Sequence, residues 1–168
     1  EEALAPLDSR DGRLRYRAVE QLQPSAENLD VLEKALADEH VSVRRLAVVW
    51  LGEVKGERAR ELLCRAMDDS SPVVRGTAGD ALSDLGDPAA GETMIRALAD
   101  PNKLVRWRAA RFLYDLGDQR AVDALREAAE DEEFEVALQA RMALERIEGG
   151  REAEGTVWQQ MTQAKKRS

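Results

Sequence analysis

A short pattern, apolar–Arg–x–x–Ala–x–x–x–Leu, returns along this chain at a nearly fixed interval, and that return limits the fold more than any other feature. The copies are Leu14-Arg15, Ala18, Leu22; Val43-Arg44, Ala47, Leu51; Val74-Arg75, Ala78, Leu82; and Val105-Arg106, Ala109, Leu113. A fifth keeps Val136, Ala140 and Leu144 but carries Ala137 in place of the arginine. The first offset is 29 residues (14 to 43) and the next three are 31 each (43 to 74, 74 to 105, 105 to 136). A constant period of this size marks a solenoid of stacked supersecondary units, not one closed core.

Each period predicts two helices. Counting the first apolar residue of the pattern as position 0, positions 0, 4 and 8 are apolar, as is position 11 in four copies (Val54, Leu85, Leu116, Ile147), which makes one stripe at 3.6 residues per turn. A second stretch ends before an aspartate in each period: Leu32, Ala35 and Leu36 before Asp38, then Leu63, Ala66 and Met67 before Asp69. Met94, Ala97 and Leu98 precede Asp100 in the same way, and Leu125, Ala128 and Ala129 precede Asp131. Asp11, Ser71-Pro72 and Asn102 supply start signals for the motif helices, while Leu85-Gly86-Asp87 and Leu116-Gly117-Asp118 supply stops. The alanine at position 4 lets neighbouring helices approach closely, and the leucine at position 8 belongs to the core. The expectation is an all-α fold, a solenoid of about five two-helix repeats.

Val-Arg, Ala and Leu-Gly-Asp in this order resemble the HEAT-like repeats of the phycobilisome-lyase type over about residues 8–149. That resemblance implies an α-α superhelix, a HEAT-like solenoid, with the motif helices on its concave side. It leaves function open, because such repeats serve as scaffolds, lyase chaperones, enzymes and adaptors. Residues 131–163, with Phe134-Glu135-Val136, Gln139 through Glu148 and Gly155-Thr156-Val157-Trp158-Gln159-Gln160-Met161, resemble the end of the bacterial conserved virulence factor C family. That resemblance implies a regulatory or scaffolding role and a NifU-like domain preceding the repeats, absent from this chain.

Two domains are expected, a solenoid over 1–150 and a capping segment with a basic tail over 151–168. Gly149-Gly150 reads as a stop, and Val157, Trp158 and Met161 read as an apolar edge laid on the last repeat or, alternatively, as a docking helix. The chain opens on Glu1 without an initiator methionine, so a missing leader says nothing of compartment; a cytoplasmic place and no membrane contact are the expectations.

Asp38, Asp69, Asp100 and Asp131 recur with Arg15, Arg44, Arg75 and Arg106, predicting a ladder of ion pairs between repeats. As exposed pairs these would be worth about 0–1 kcal/mol each and would set register more than stability. The motif helices hold eleven bases against four acids, a net of +7 in a chain of −8, so the remainder carries −15. Two readings follow: a basic inner face focusing a partner with an acidic surface, or arginines neutralised by the other helix row. Opposite the core stripe lie positions 2, 6 and 9. Among them Tyr16, Arg45, Val49, Gly76, Asp80, Trp107, Arg111, Tyr114, Leu138 and Met142 form the candidate partner-binding strip, with Gly76 leaving a gap beside Trp107. Trp, Tyr and Arg are the residues that most often anchor interfaces.

Catalytic chemistry finds little material. One histidine, His40 at a helix start, and one cysteine, Cys64, give no Ser/His/Asp, Cys/His or metal set, and no cofactor is expected. A diiron hydroxylase built on HEAT repeats needs several His-Glu pairs, and the single Glu39-His40 excludes it. The reading favoured is a non-enzymatic protein-interaction scaffold that takes a protein or peptide on its concave face. The alternatives are a bilin lyase-like or chaperone role and nucleic-acid binding through the basic inner helices, the latter opposed by the overall negative charge.

Overall fold

The computed structural model describes residues 6–167, and for residues 151–158 and 167 the backbone alone. Among the described residues nine α-helices alternate between two kinds. The motif helices are α1 (Gly12–Glu20), α3 (Val41–Val54), α5 (Pro72–Leu85), α7 (Lys103–Leu116) and α9 (Phe134–Arg167). Between them stand the second helices of the repeats, α2 (Leu29–Ala35), α4 (Glu57–Ala66), α6 (Gly91–Ala97) and α8 (Val122–Ala128). Among the described residues there is no strand. The fold is all-α, of the HEAT-like solenoid class.

Caps and stripes explain the helix boundaries. Asp11 accepts from the Arg13 N–H, Ser71 from the Val73 N–H, and Asn102 from those of Leu104 and Val105. Gly86 and Gly117 end α5 and α7 at φ 60° and 68°, in the left-handed region where a side chain is strained. The stripe residues Val43, Ala47, Leu51, Val74, Ala78, Leu82, Val105, Ala109 and Leu113 are all buried, as are Leu32, Leu63, Met94 and Leu125 of the second helices. Trp50 and Phe112 pack beside the stripe; the Trp50 indole N–H donates to the Val19 carbonyl at 2.7 Å.

The chain forms two compact units, Glu1–Thr93 and Met94–Ser168. In the first, α3 packs against α1, α2, α4 and α5; in the second, α9 packs against α7 and α8. No break falls at residue 150, because α9 runs on through Gly149 and Gly150 to Arg167. Two helical glycines cost about 1 kcal/mol each relative to alanine but leave the backbone hydrogen bonds intact, which only proline would remove. The expected stop is thus corrected. Met161 of the supposed cap is 56% exposed, and Val157 and Trp158 lie outside the residues whose side chains are described.

The aspartate–arginine ladder is present and is buried more deeply than its sequence suggests. Arg15 grips Asp38 through Nε and Nη2 at 2.8 and 3.1 Å, Arg44 grips Asp69 at 2.9 and 3.2 Å, and Arg106 grips Asp131 at 2.8 and 3.2 Å. These side chains are only 10–13% exposed. Each carboxylate also caps the N–H two residues on, in His40, Ser71 and Glu133, and Nη1 of Arg44 and of Arg106 donates to the carbonyl of Asp38 and of Asp100. The pairs are part-buried and bidentate and each carboxylate also caps a backbone N–H, so losing one partner removes more than the low value of an exposed pair. The Arg15 guanidinium outweighs burial and holds Asp38 below its ordinary 3.8. At Asp131 burial pulls upward, yet Arg106 and the Glu133 N–H together bring the carboxyl below 3.8. Ala137 ends the ladder, and Arg141 donates instead to the Ala129 carbonyl at 3.0 Å.

Candidate interaction surface

The ten strip residues divide evenly, five to each unit. In the first unit they do not form one patch. Tyr16, half-buried, lines a notch of about 620 Å³ between α1 and the start of α3, together with Arg13, Arg17, Glu20 and His40. The His40 ring lies directly on the Gly12 backbone, where a methyl group would clash with it. His40 occupies the cap position of α3 without a side-chain cap bond. Arg45 is exposed. Val49 and Asp80 belong to a different opening of about 520 Å³ between α3 and α5, lined also by Gly52, Glu53, Lys55, Thr77 and Asp84. Three carboxylates against one lysine make that cleft acidic. Gly76, expected to face outward, is buried.

The second unit gathers its five. Trp107 (36% exposed), Leu138 (44%) and Met142 (39%) stand on adjacent motif helices with Arg111 exposed and Tyr114 half-buried. Two residues outside the predicted columns join them: Leu104 (55%) and Phe134 (72%). With Lys103, Glu133 and Trp107 they line a notch of about 240 Å³ at the N-terminal ends of α7 and α9. Phe134, Leu138 and Met142 are spaced by four residues, so one face of α9 carries all three. Further along the seam the Arg146 guanidinium carbon lies 4.8 Å from the Tyr114 ring centre and that of Arg111 lies 5.6 Å from it, within cation–π range.

Leu104 and Phe134 escaped the sequence reading because they precede position 0, outside the counted columns. The signal was a leucine or aromatic in a first helical turn, where the earlier copies hold Gly12, Val41 and Pro72 two residues before position 0 and Arg13, Ser42 and Val73 one before it. Arg146 escaped because position 10 was not counted; in that column Glu53, Asp84 and Asp115 change to arginine only in the last repeat.

Of the two charge readings, neutralisation accounts for Arg15, Arg44 and Arg106 through the ladder. Lys103 approaches Glu133 at 3.9 Å and Arg111 approaches Asp115 at 3.5 Å. Among the described residues no group of three His, Cys, Asp or Glu side chains stands ready for a metal ion, and no helix is long and apolar enough to cross a membrane.

The profile for HEAT repeats matches residues 1–83 and 61–145. The chain belongs to the HEAT-repeat family. Over 161 residues it is 63% identical to the uncharacterized protein YpgR of Bacillus subtilis (strain 168), covering 96% of this chain but 43% of that protein, less than half its length. Human deoxyhypusine hydroxylase in complex with glycerol is similar at a TM-score of 0.62 and 29% identity, over 72% of this chain and 43% of that one. The CpcE–CpcF complex of phycocyanin lyase from Nostoc sp. PCC7120 gives a TM-score of 0.66 at 23% identity, over 86% and 63%, a likeness of fold alone.

Proposed function

We propose that this chain is a non-enzymatic protein-interaction module that docks a partner segment on the α7–α9 face of its second unit. The observation that supports this is the cluster of Leu104, Trp107, Phe134, Leu138 and Met142, five large apolar side chains exposed around one seam. Solvated helix faces carry charged residues; a contiguous apolar patch rimmed by charge marks a contact surface. The partner is a polypeptide with apolar anchors, and an acidic surface on it remains part of this proposal. So does the setting implied by the likeness of residues 131–163 to the conserved virulence factor C family, with a NifU-like domain as neighbour in a longer chain. Selection of a randomised peptide library against the chain tests the reading. Binders are expected, and Trp107→Ala with Phe134→Ala should weaken them by about tenfold or more while the thermal melt is kept. Binders indifferent to that double substitution would remove the α7–α9 face from consideration.

A further inference from the structure

We infer that Arg111, Tyr114 and Arg146 form a carboxylate-reading site at the C-terminal end of this face, taking an Asp or Glu side chain of a polypeptide whose apolar residues sit beside Trp107, Leu138 and Met142. The inference rests on the docking role proposed above and adds to it the chemistry of the ligand.

Three observations converge on it. Two guanidinium groups from different helices lie against one half-buried tyrosine ring, at 4.8 and 5.6 Å from its centre. Stacking on the ring restrains two long side chains that otherwise lose rotamer freedom on binding, so part of the ordering cost is met before the ligand arrives. Arg146 is exposed and has no acidic partner among the described residues. Arg111 has one, Asp115 at 3.5 Å, but that pair is half-exposed and spans one turn of the same helix, a weak contact that an incoming carboxylate can displace.

Register supports the placement. Tyr114 at position 9 of α7 and Arg146 at position 10 of α9 meet across the seam. The seam therefore presents two guanidinium groups around one ring, with Asp115 as the acid beside Arg111. A guanidinium fork matches the two oxygens of a carboxylate, and charge-assisted bonds of this kind are the stronger class. A polypeptide carboxylate suits the place better than a nucleic-acid phosphate, because exposed apolar side chains adjoin it and the chain's charge of −8 repels a polyanion.

The test uses the binders from the peptide library, followed by fluorescence anisotropy with the full chain. Selected peptides are expected to combine apolar residues with Asp or Glu, and replacing those acids by Asn or Gln should weaken binding about tenfold. Arg111→Gln with Arg146→Gln should cause the same loss for the acidic peptide and make the chain indifferent to its neutralisation. Both arginines are exposed, so a retained thermal melt separates lost binding from lost folding. Tyr114→Ala should produce a smaller loss by freeing the two guanidinium groups. Binders that are apolar without acids, or a double variant that holds the acidic peptide as tightly as the parent, overturn the inference and leave the docking face standing. Single-stranded DNA displacing the acidic peptide more effectively than the free peptide also overturns it. If no peptide binds, the docking reading fails and the carboxylate site fails with it.

Discussion

The seam between α3 and α5 and the seam between α7 and α9 are built on one plan and present opposite chemistry. Position 9 of the earlier helix is Gly52 in the first unit and Tyr114 in the second; position 10 of the later helix is Asp84 in the first and Arg146 in the second. Position 6 of the later helix changes from Asp80 to Met142. One seam is an open acidic cleft, the other is filled by an aromatic ring with two cations against it and flanked by apolar side chains. Beneath both, the residues at positions 0, 4 and 8 of the earlier helix are alike and buried. Core and face thus vary independently: burial constrains one side of each motif helix, and nothing in the packing constrains the other.

The largest expected effect tests the shared part. Leu82→Ala and Leu113→Ala each remove a side chain that is fully buried, and each should cost about 2–5 kcal/mol in denaturant unfolding. A cost confined to one unit would show that the two cores are not equivalent. Next comes the ladder. Arg44→Ala in the first unit and Arg106→Ala in the second strand a part-buried carboxylate, with a loss of about 1–2 kcal/mol each. A loss near zero would return the ladder to the role of an exposed pair.

Acid probes the same ladder in both units. Asp38 and Asp131 have folded-state values below the ordinary 3.8, so protons bind the unfolded chain more readily there. Their contribution is complete above that value and disappears as pH falls through the lower folded-state values. Unfolding midpoints should therefore change little on this account from neutral pH to about pH 5, then drop below pH 4. The contrast at position 9 comes last. A methyl group at Gly52 already comes within 3.1 Å of the Ala81 side chain, so Gly52→Leu should force α3 from α5 at about 1–3 kcal/mol. Tyr114→Leu in the other unit should stay within about 1 kcal/mol, as the ring is only half-buried. Equal costs at the two sites would mean that the seams differ in surface chemistry alone.

Much of this was legible in the residues. The period, the caps at Asp11, Ser71 and Asn102, the left-handed glycines and the buried stripe follow from rules that act within one or two turns of chain. The ladder was legible too, because its members recur in step. Its depth was not: Asp69 and Arg44 look like surface residues until the neighbouring repeat closes over them. On the candidate face, the column rule placed Trp107, Arg111, Leu138 and Met142 correctly as outward residues and failed at Gly76, whose exposure depends on what packs around it and not on its own angle. Gly149-Gly150 failed for the opposite reason, since a local stop signal yielded to helix continuity.

Short-range rules thus settled which residues become helix, where each helix starts and which stripe it buries, because hydrogen bonding and periodicity need no distant neighbour. Whether Arg44 and Arg106 lie in part-buried pairs, or Arg146 stacks on a tyrosine at the surface, depended on residues 25 to 32 positions away. That distance is bridged only when one repeat packs on the next.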